Sequence, residues 1–391
     1  MTPIPRLLGL SSIPVLALLL SACGGAGSTT AADLTANAPT SSAMALEVAG
    51  TTSADATLPD DPTLPTTPAP GAADTDPCHP HLFARTAEVA WRLNAIFRRH
   101  LRHVDALVAR HPSLVAGDSA TWSQTGTALE PQRQFTMTRS ADGLTYAFEL
   151  DLAPAGQAPP AWTKVFWGSL TDSTSGTVKG RTGAMTFDED ALHAVVPAER
   201  LTGTIDLTFD QVKDPSRPAP GVKRTTAVAF HGFSFGPYDR HGPRDGSYTH
   251  LSEPGVGGLM SYQDSVVLLC PANPDALPAD TTTVARWFLA ADGAVHGRAD
   301  ARAAGGQIAA GDTWLGASCR SVAPGTDPAT TSFAGYWMMK LEDGTGATVA
   351  GSAHQAGSGV ACDPAFGAVP ALGDASTDFD FTQPATFPGA W

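Results

Sequence analysis

A chain of 391 residues, 42% hydrophobic and only 16% charged, can bury a sizeable core, which excludes disorder throughout. Its 24 Lys and Arg against 38 Asp and Glu leave a net charge of -14, which argues against a nucleic-acid partner, since phosphate binding needs a basic face. Gly 39 and Pro 32 disfavour an all-helical bundle and point to many turns between short strands.

The chain begins with the layout of a secretory signal. Arg6 precedes an apolar run from Leu7 to Leu20, and Leu20-Ser21-Ala22-Cys23 follows. As a helix that run spans about 21 Å, short of the roughly 30 Å hydrocarbon core, so a transmembrane anchor is the weaker reading. The Leu-Ser-Ala-Cys ending, with Gly24-Gly25 behind it, resembles the lipobox of bacterial lipoproteins. The resemblance covers residues 1–23 only. It implies that residues 1–22 are removed and that Cys23 carries the acyl chains, two or three of which anchor a protein stably where one alone is marginal. By the same resemblance Gly24, standing where Asp would retain the protein in the inner membrane, favours the outer membrane.

Residues 24–77 consist mainly of Ala, Thr, Ser, Pro, Gly and Asp, without aromatic residues, Lys or Arg. Such a segment buries too little surface to fold, so residues 23–77 read as a semi-extended tether. The remainder, 78–391, reads as one β-rich ectodomain, with a possible subdivision near 270–280.

From about Pro80 to Arg110 apolar residues recur at three and four: Leu82, Val89, Leu93, Phe97, Leu101 and Val104. That is one buried face of a helix, and His111-Pro112 supplies the stop. Arg85, Arg92, Arg98, Arg99, Arg102 and Arg110 make it basic within an acidic protein. It offers either a membrane or anion surface or, more simply, a solvated face set against the acidic remainder.

Beyond Pro112 the period becomes two. Leu144, Tyr146, Phe148, Leu150 and Leu152 alternate with Thr145, Ala147, Glu149 and Asp151, a strand with one wet face. Ser140-Ala141-Asp142-Gly143 before it is a hairpin signal. Ile205, Leu207 and Phe209 repeat the alternation, and Val228 and Phe230 shift phase to Phe233 and Phe235 across His231-Gly232, which predicts a bulge. Asp-Gly turns recur at Asp292 and Asp343, and a short helix is possible at Asp188 to Val196. The expected class is α+β, mainly β: one long N-terminal amphipathic helix packed on a large curved antiparallel sheet, a partial barrel or a sandwich.

With Cys23 assigned to lipid, Cys78, Cys270, Cys319 and Cys362 form an even set in an exported chain, without the CxxC spacing of a zinc or redox site. Two disulfides are expected, with Cys319–Cys362 and Cys78–Cys270 favoured among the three connectivities. Gly232-Phe233-Ser234-Phe235-Gly236 fits the pattern of a nucleophile elbow, yet Pro237-Tyr238 after it cannot open the helix the elbow needs. His231, His241 and His250, with Asp239 and Asp245, could gather around a metal, although their spacing matches no signature. The pairs His100 with His103 and His79 with His81, and the acids Asp374, Asp378 and Asp380, are further weak candidates. Catalytic, cofactor and metal assignments are accordingly none.

Trp162, Phe166 and Trp167 in one run, Trp287-Phe288 in a second and Tyr336-Trp337 in a third put large rings on both faces of their strands. One such face could line a pocket for an apolar or carbohydrate ligand. The function expected is a non-catalytic, cell-envelope lipoprotein that binds a ligand or an envelope protein partner, held to the membrane through Cys23. In architecture it resembles half-barrel carriers of lipids or lipoproteins. A metal-assisted or serine hydrolase using the His231–His250 segment is the alternative, and a structural surface lipoprotein is the second.

Overall fold

The computed structural model describes residues 30–40, 44, 46, 82–127, 129–216, 222–234, 243–253, 257–266, 279–289, 295–305, 308–322 and 335–350. Among them one antiparallel sheet of fifteen strands dominates. Its strands are β1 (Leu114–Ala116), β2 (Ser119–Gln124), β3 (Gln132–Arg139), β4 (Thr145–Ala153), β5 (Thr163–Ser175), β6 (Val178–Asp188), β7 (Thr202–Lys213) and β8 (Val222–Ser234). They continue as β9 (Arg244–Glu253), β10 (Gly257–Val266), β11 (Ala279–Leu289), β12 (Val295–Ala304), β13 (Thr313–Val322), β14 (Gly335–Glu342) and β15 (Thr348–Ala350). Each strand pairs with the next in sequence, and β1 and β15 are the two edges, so the sheet is open, neither closed into a barrel nor split into a sandwich. The strands on either side of residues 267–278, β10 and β11, pair with each other.

The sheet is accompanied by the helices α1 (Ala31–Ala36), α2 (Leu82–Val108) and α3 (Glu189–Val195). The α3 helix starts where Asp188 accepts a hydrogen bond from the Ala191 N–H at 2.8 Å, an N-cap that ends β6.

The alternation in the sequence becomes two unlike faces. Tyr146, Phe148, Leu150 and Leu152 of β4 are buried, while Thr145, Ala147 and Glu149 are not. The hairpin before β4 is pinned by Asp142, which accepts from the N–H groups of Leu144 and Thr145 at 2.7 and 3.0 Å, with Gly143 at φ 72°. On the apolar face rings follow one another from Trp122 through Phe135, Phe148 and Phe166 in tilted contacts to Phe187, which stacks on Phe166 and, at 5.6 Å, on Phe97 of α2.

The helix α2 runs across the strands rather than along them. The Thr86 hydroxyl meets the Tyr262 hydroxyl of β10 at 3.2 Å, Phe97 meets Phe187 of β6, and the Trp122 indole of β2 donates to the Arg110 carbonyl at 3.2 Å. Where α2 lies beside β11, β12 and β13, that face carries Ala285, Ala299, Ala301, Ala303 and Gly316, small enough for close approach.

Glycine makes room for rings in the sheet itself. Gly183 stands opposite Phe209 in the ladder, and a Cβ there would lie 2.3 Å from the Phe209 ring and 2.8 Å from Leu170. Both neighbours are buried and cannot withdraw. Gly183→Ala is therefore expected to cost about 1–3 kcal/mol through overpacking. A urea titration would read this as a lowered midpoint with an unchanged slope, and an unaltered midpoint would refute the packing described.

Part of the segment read as tether is instead ordered. Thr30 and Asp33 form a reciprocal capping box at the start of α1, and Leu34, Ala38, Met44 and Leu46 are buried in the main core. The Leu46 N–H and carbonyl are both bonded to the Asn94 amide of α2, at 2.6 and 2.8 Å. The average composition of 24–77 hid these isolated apolar residues, which dock onto the sheet and α2 without forming a core of their own.

Candidate functional site

The polar face of β4–β7 carries a groove of about 660 Å³, and the strand register explains why it is there. Glu149, Trp167, Thr186 and Asp206 stand opposite one another across the four strands and form one wall. Two residues along each strand, Ala147, Ser169, Ala184 and Thr208 form a parallel row of small side chains. The next row, Thr145, Thr171, Thr182 and Asp210, lies outside the lining of the groove. A row of small residues beside the larger wall is a shallow furrow, and it crosses the strands for about 14 Å at 4.8 Å per strand.

The polar groups of that wall are held in place. Lys164 lies 2.5 Å from Glu149, whose hydrogen bond holds the ammonium above the ordinary lysine range. Asp206 accepts from the Thr186 hydroxyl at 2.6 Å through one oxygen and faces the His231 imidazole at 3.2 Å through the other. Partial burial, and then the charge of Glu149, raises the carboxyl of Asp151. Trp167 is half-buried and supplies the large ring of the furrow. With Thr, Glu, Asp and Lys along it, this face is suited to water rather than to lipid.

A second cluster lies on the opposite side of the sheet. His100 of α2, 1% exposed, places Nε2 2.8 Å from Oε1 of Glu189, which is 0% exposed, at the first position of α3. The His100 ring also lies 5.0 Å from Phe187. Arg99 approaches Glu189 Oε2 at 3.8 Å and pairs with Glu199. Burial pushes the Glu189 carboxyl up, but the His100 charge and hydrogen bond, followed by the Arg99 charge, outweigh it and leave the group below the ordinary glutamate range. This cluster ties α2 to the sheet through α3.

Among the described residues the sequence candidates for catalysis do not converge. Ser234 closes β8, paired with Thr202 of β7 and 6% exposed, so its hydroxyl is not held proud of the sheet as an elbow requires. The expected bulge is present: the ladder shifts between Phe230 and Phe233, with Gly232 at φ 54°. His231 projects from the polar face, bonded to Asp206, whereas His250 sits opposite Met260 and Thr226 on the apolar face, 6.0 Å from the Trp287 ring. Opposite faces cannot share one metal ion. Asp245 instead accepts from the Gly232 N–H at 2.8 Å. Among the described residues no three His, Cys, Asp or Glu side chains gather as a metal set.

Cys23, Cys78, Cys270, Cys362, His79, His81, Asp239, His241, Asp292, Asp374, Asp378 and Asp380 lie outside the described residues. So does the side chain of Cys319, whose backbone belongs to β13.

Comparison with family models, with curated proteins and with solved structures found no match to this chain. The site is therefore read from its own chemistry. Trp167 was visible in the sequence as an aromatic flag, but the furrow beside it was not, because only the register aligns Ala147, Ser169, Ala184 and Thr208. Glu189 as the partner of His100 carried no sequence signal, the two being 89 positions apart.

Proposed function

We propose that the protein is a lipid-anchored, non-catalytic module of the cell envelope that binds a ligand or partner in the Trp167 furrow on the polar face of its sheet. The observation that carries this reading is the furrow itself, with a large ring, preset carboxylates and the Thr186 hydroxyl beside a floor of small residues.

The apolar face favours a supporting role. There α2 meets β2 and β3 near one edge and β11, β12 and β13 toward the other. A flat sheet from β2 to β13 would measure about 53 Å at 4.8 Å per strand, whereas 27 helical residues span about 40 Å. We read the sheet as bowed, with the helix as its chord. Leu93, Phe97, Leu101 and Val104 of that helix occupy the side on which a half-barrel carrier would hold lipid. A carrier role would require the helix to leave, so the polar furrow is the better binding face.

The anchor and the furrow are tested separately. Cys23→Ser is expected to abolish incorporation of a radioactive fatty acid, and undiminished label would overturn the lipid anchor. A photo-crosslinking amino acid at Ser169, on the furrow floor, is expected to give a discrete adduct in intact cells, whereas the same group at Ser123, elsewhere on the polar face, gives none. Adducts of equal yield from both positions, or none from Ser169, would overturn the binding site.

A further inference from the structure

We infer that the occupant of the furrow is a neutral polysaccharide chain lying across the strands of β4–β7. This rests on the furrow being the binding site and adds the chemistry of the ligand. Four observations narrow that chemistry.

First, the walls are hydroxyls and carboxylates. Thr186, with Ser169 and Thr208 of the floor, can donate or accept, while Glu149 and Asp206 only accept when ionised. A ligand with many hydroxyls satisfies both kinds, because each hydroxyl donates to a carboxylate and accepts from a threonine. Second, charge selects against anions. Lys164 is already paired with Glu149, and Asp206, which meets the His231 imidazole, has no lysine or arginine opposite it in the register from β6 to β8. An acidic sugar or a phosphate would set acceptor against acceptor, within a protein of net charge -14.

Third, Trp167 stands in the wall midway between two polar groups, Glu149 on β4 and Thr186 on β6. An aromatic body flanked by hydrogen-bonding partners matches a sugar ring, which is apolar on its C–H faces and polar around its rim. Fourth, a peptide strand has nothing to pair with here. Strands β4 to β7 are each hydrogen-bonded to a neighbour on both sides, so the floor offers no free main-chain row for strand addition.

The test is calorimetric titration of the detergent-solubilised full-length protein with cello-, malto- and chito-oligosaccharides, and with oligogalacturonides as the anionic arm. At least one neutral series is expected to bind, with oligogalacturonides at least roughly tenfold weaker. Trp167→Ala is expected to weaken binding roughly tenfold, the scale of one aromatic contact, and Trp167→Phe to recover most of it. Ser169→Trp, which fills the furrow and leaves Trp167 in place, should abolish binding while the thermal midpoint stays near the wild-type value. Failure of every neutral series, preference for the anionic series, or neutral binding indifferent to both Trp167→Ala and Ser169→Trp would overturn the inference. If the Ser169 crosslink persists while no saccharide binds, the furrow remains a binding site and only the saccharide falls. Loss of both removes the site as well.

Discussion

Glu189→Ala is expected to lower the unfolding free energy by about 3–5 kcal/mol, the cost of leaving a buried charge without its partner. Glu189 is fully buried, and its Oε1 is the hydrogen-bond partner of His100 Nε2 at 2.8 Å, between α2 and the start of α3. The remaining oxygen, Oε2, has no hydrogen bond, with Arg99 3.8 Å away. Removing the carboxylate strands an imidazole against Phe187 in the aromatic core and frees Arg99 on one side. Glu189→Gln, which keeps an acceptor oxygen, should cost less. Replacing both partners together, His100→Leu with Glu189→Met, should restore stability close to wild type, because apolar groups of similar size dispense with the desolvation of both charges. Urea titration of the three variants measures this, and a Glu189→Ala midpoint equal to wild type would refute the pairing.

Acid should destabilise the fold over a range set first by His103. Burial, and then the charges of Arg133, Arg102, His100 and Arg99, holds its pKa down at about 3. The ring is therefore neutral in the native protein, whereas the unfolded chain protonates it below about 6.5. A depressed histidine contributes stability that is complete above about pH 6.5 and is lost as pH falls toward 3. At about 1.4 kcal/mol per pH unit, about 2 kcal/mol is gone by pH 5. Glu189, held below its ordinary value of 4.5, acts in the same sense at lower pH: its contribution is present above 4.5 and is lost on further acidification. Urea midpoints at pH 7.5 and pH 5 should differ markedly in the wild type and much less in His103→Phe. An identical drop in both would show that His103 is not the group responsible.

These two residues also mark where the sequence stops being informative. Period-two runs such as Tyr146, Phe148, Leu150 and Leu152 declared their strand because every second side chain meets the core. Asp188 before Glu189 announced a helix start, and Gly232 between two phases of phenylalanine announced a bulge, because each is a local requirement on the backbone. The His100–Glu189 pair is not local. Neither is the furrow, whose floor of Ala147, Ser169, Ala184 and Thr208 comes from four strands and exists only once their register is set. Composition misled at Leu34, Met44 and Leu46, since the polar residues around them argued for a tether, whereas burial needs only a few apolar anchors and a surface to receive them.

The most direct test of the binding face compares two tryptophans within one protein. Trp167 lies in the furrow, while Trp162, 39% exposed, precedes the same strand outside it. Hydroxyl-radical footprinting of the purified protein in detergent, and of the same protein in intact cells, would report the oxidation of each. Occupancy of the furrow predicts that Trp167 is oxidised in the purified protein and protected in cells, with Trp162 reactive in both. Equal oxidation of Trp167 in the two preparations would contradict the assignment of the furrow as the working surface of this protein.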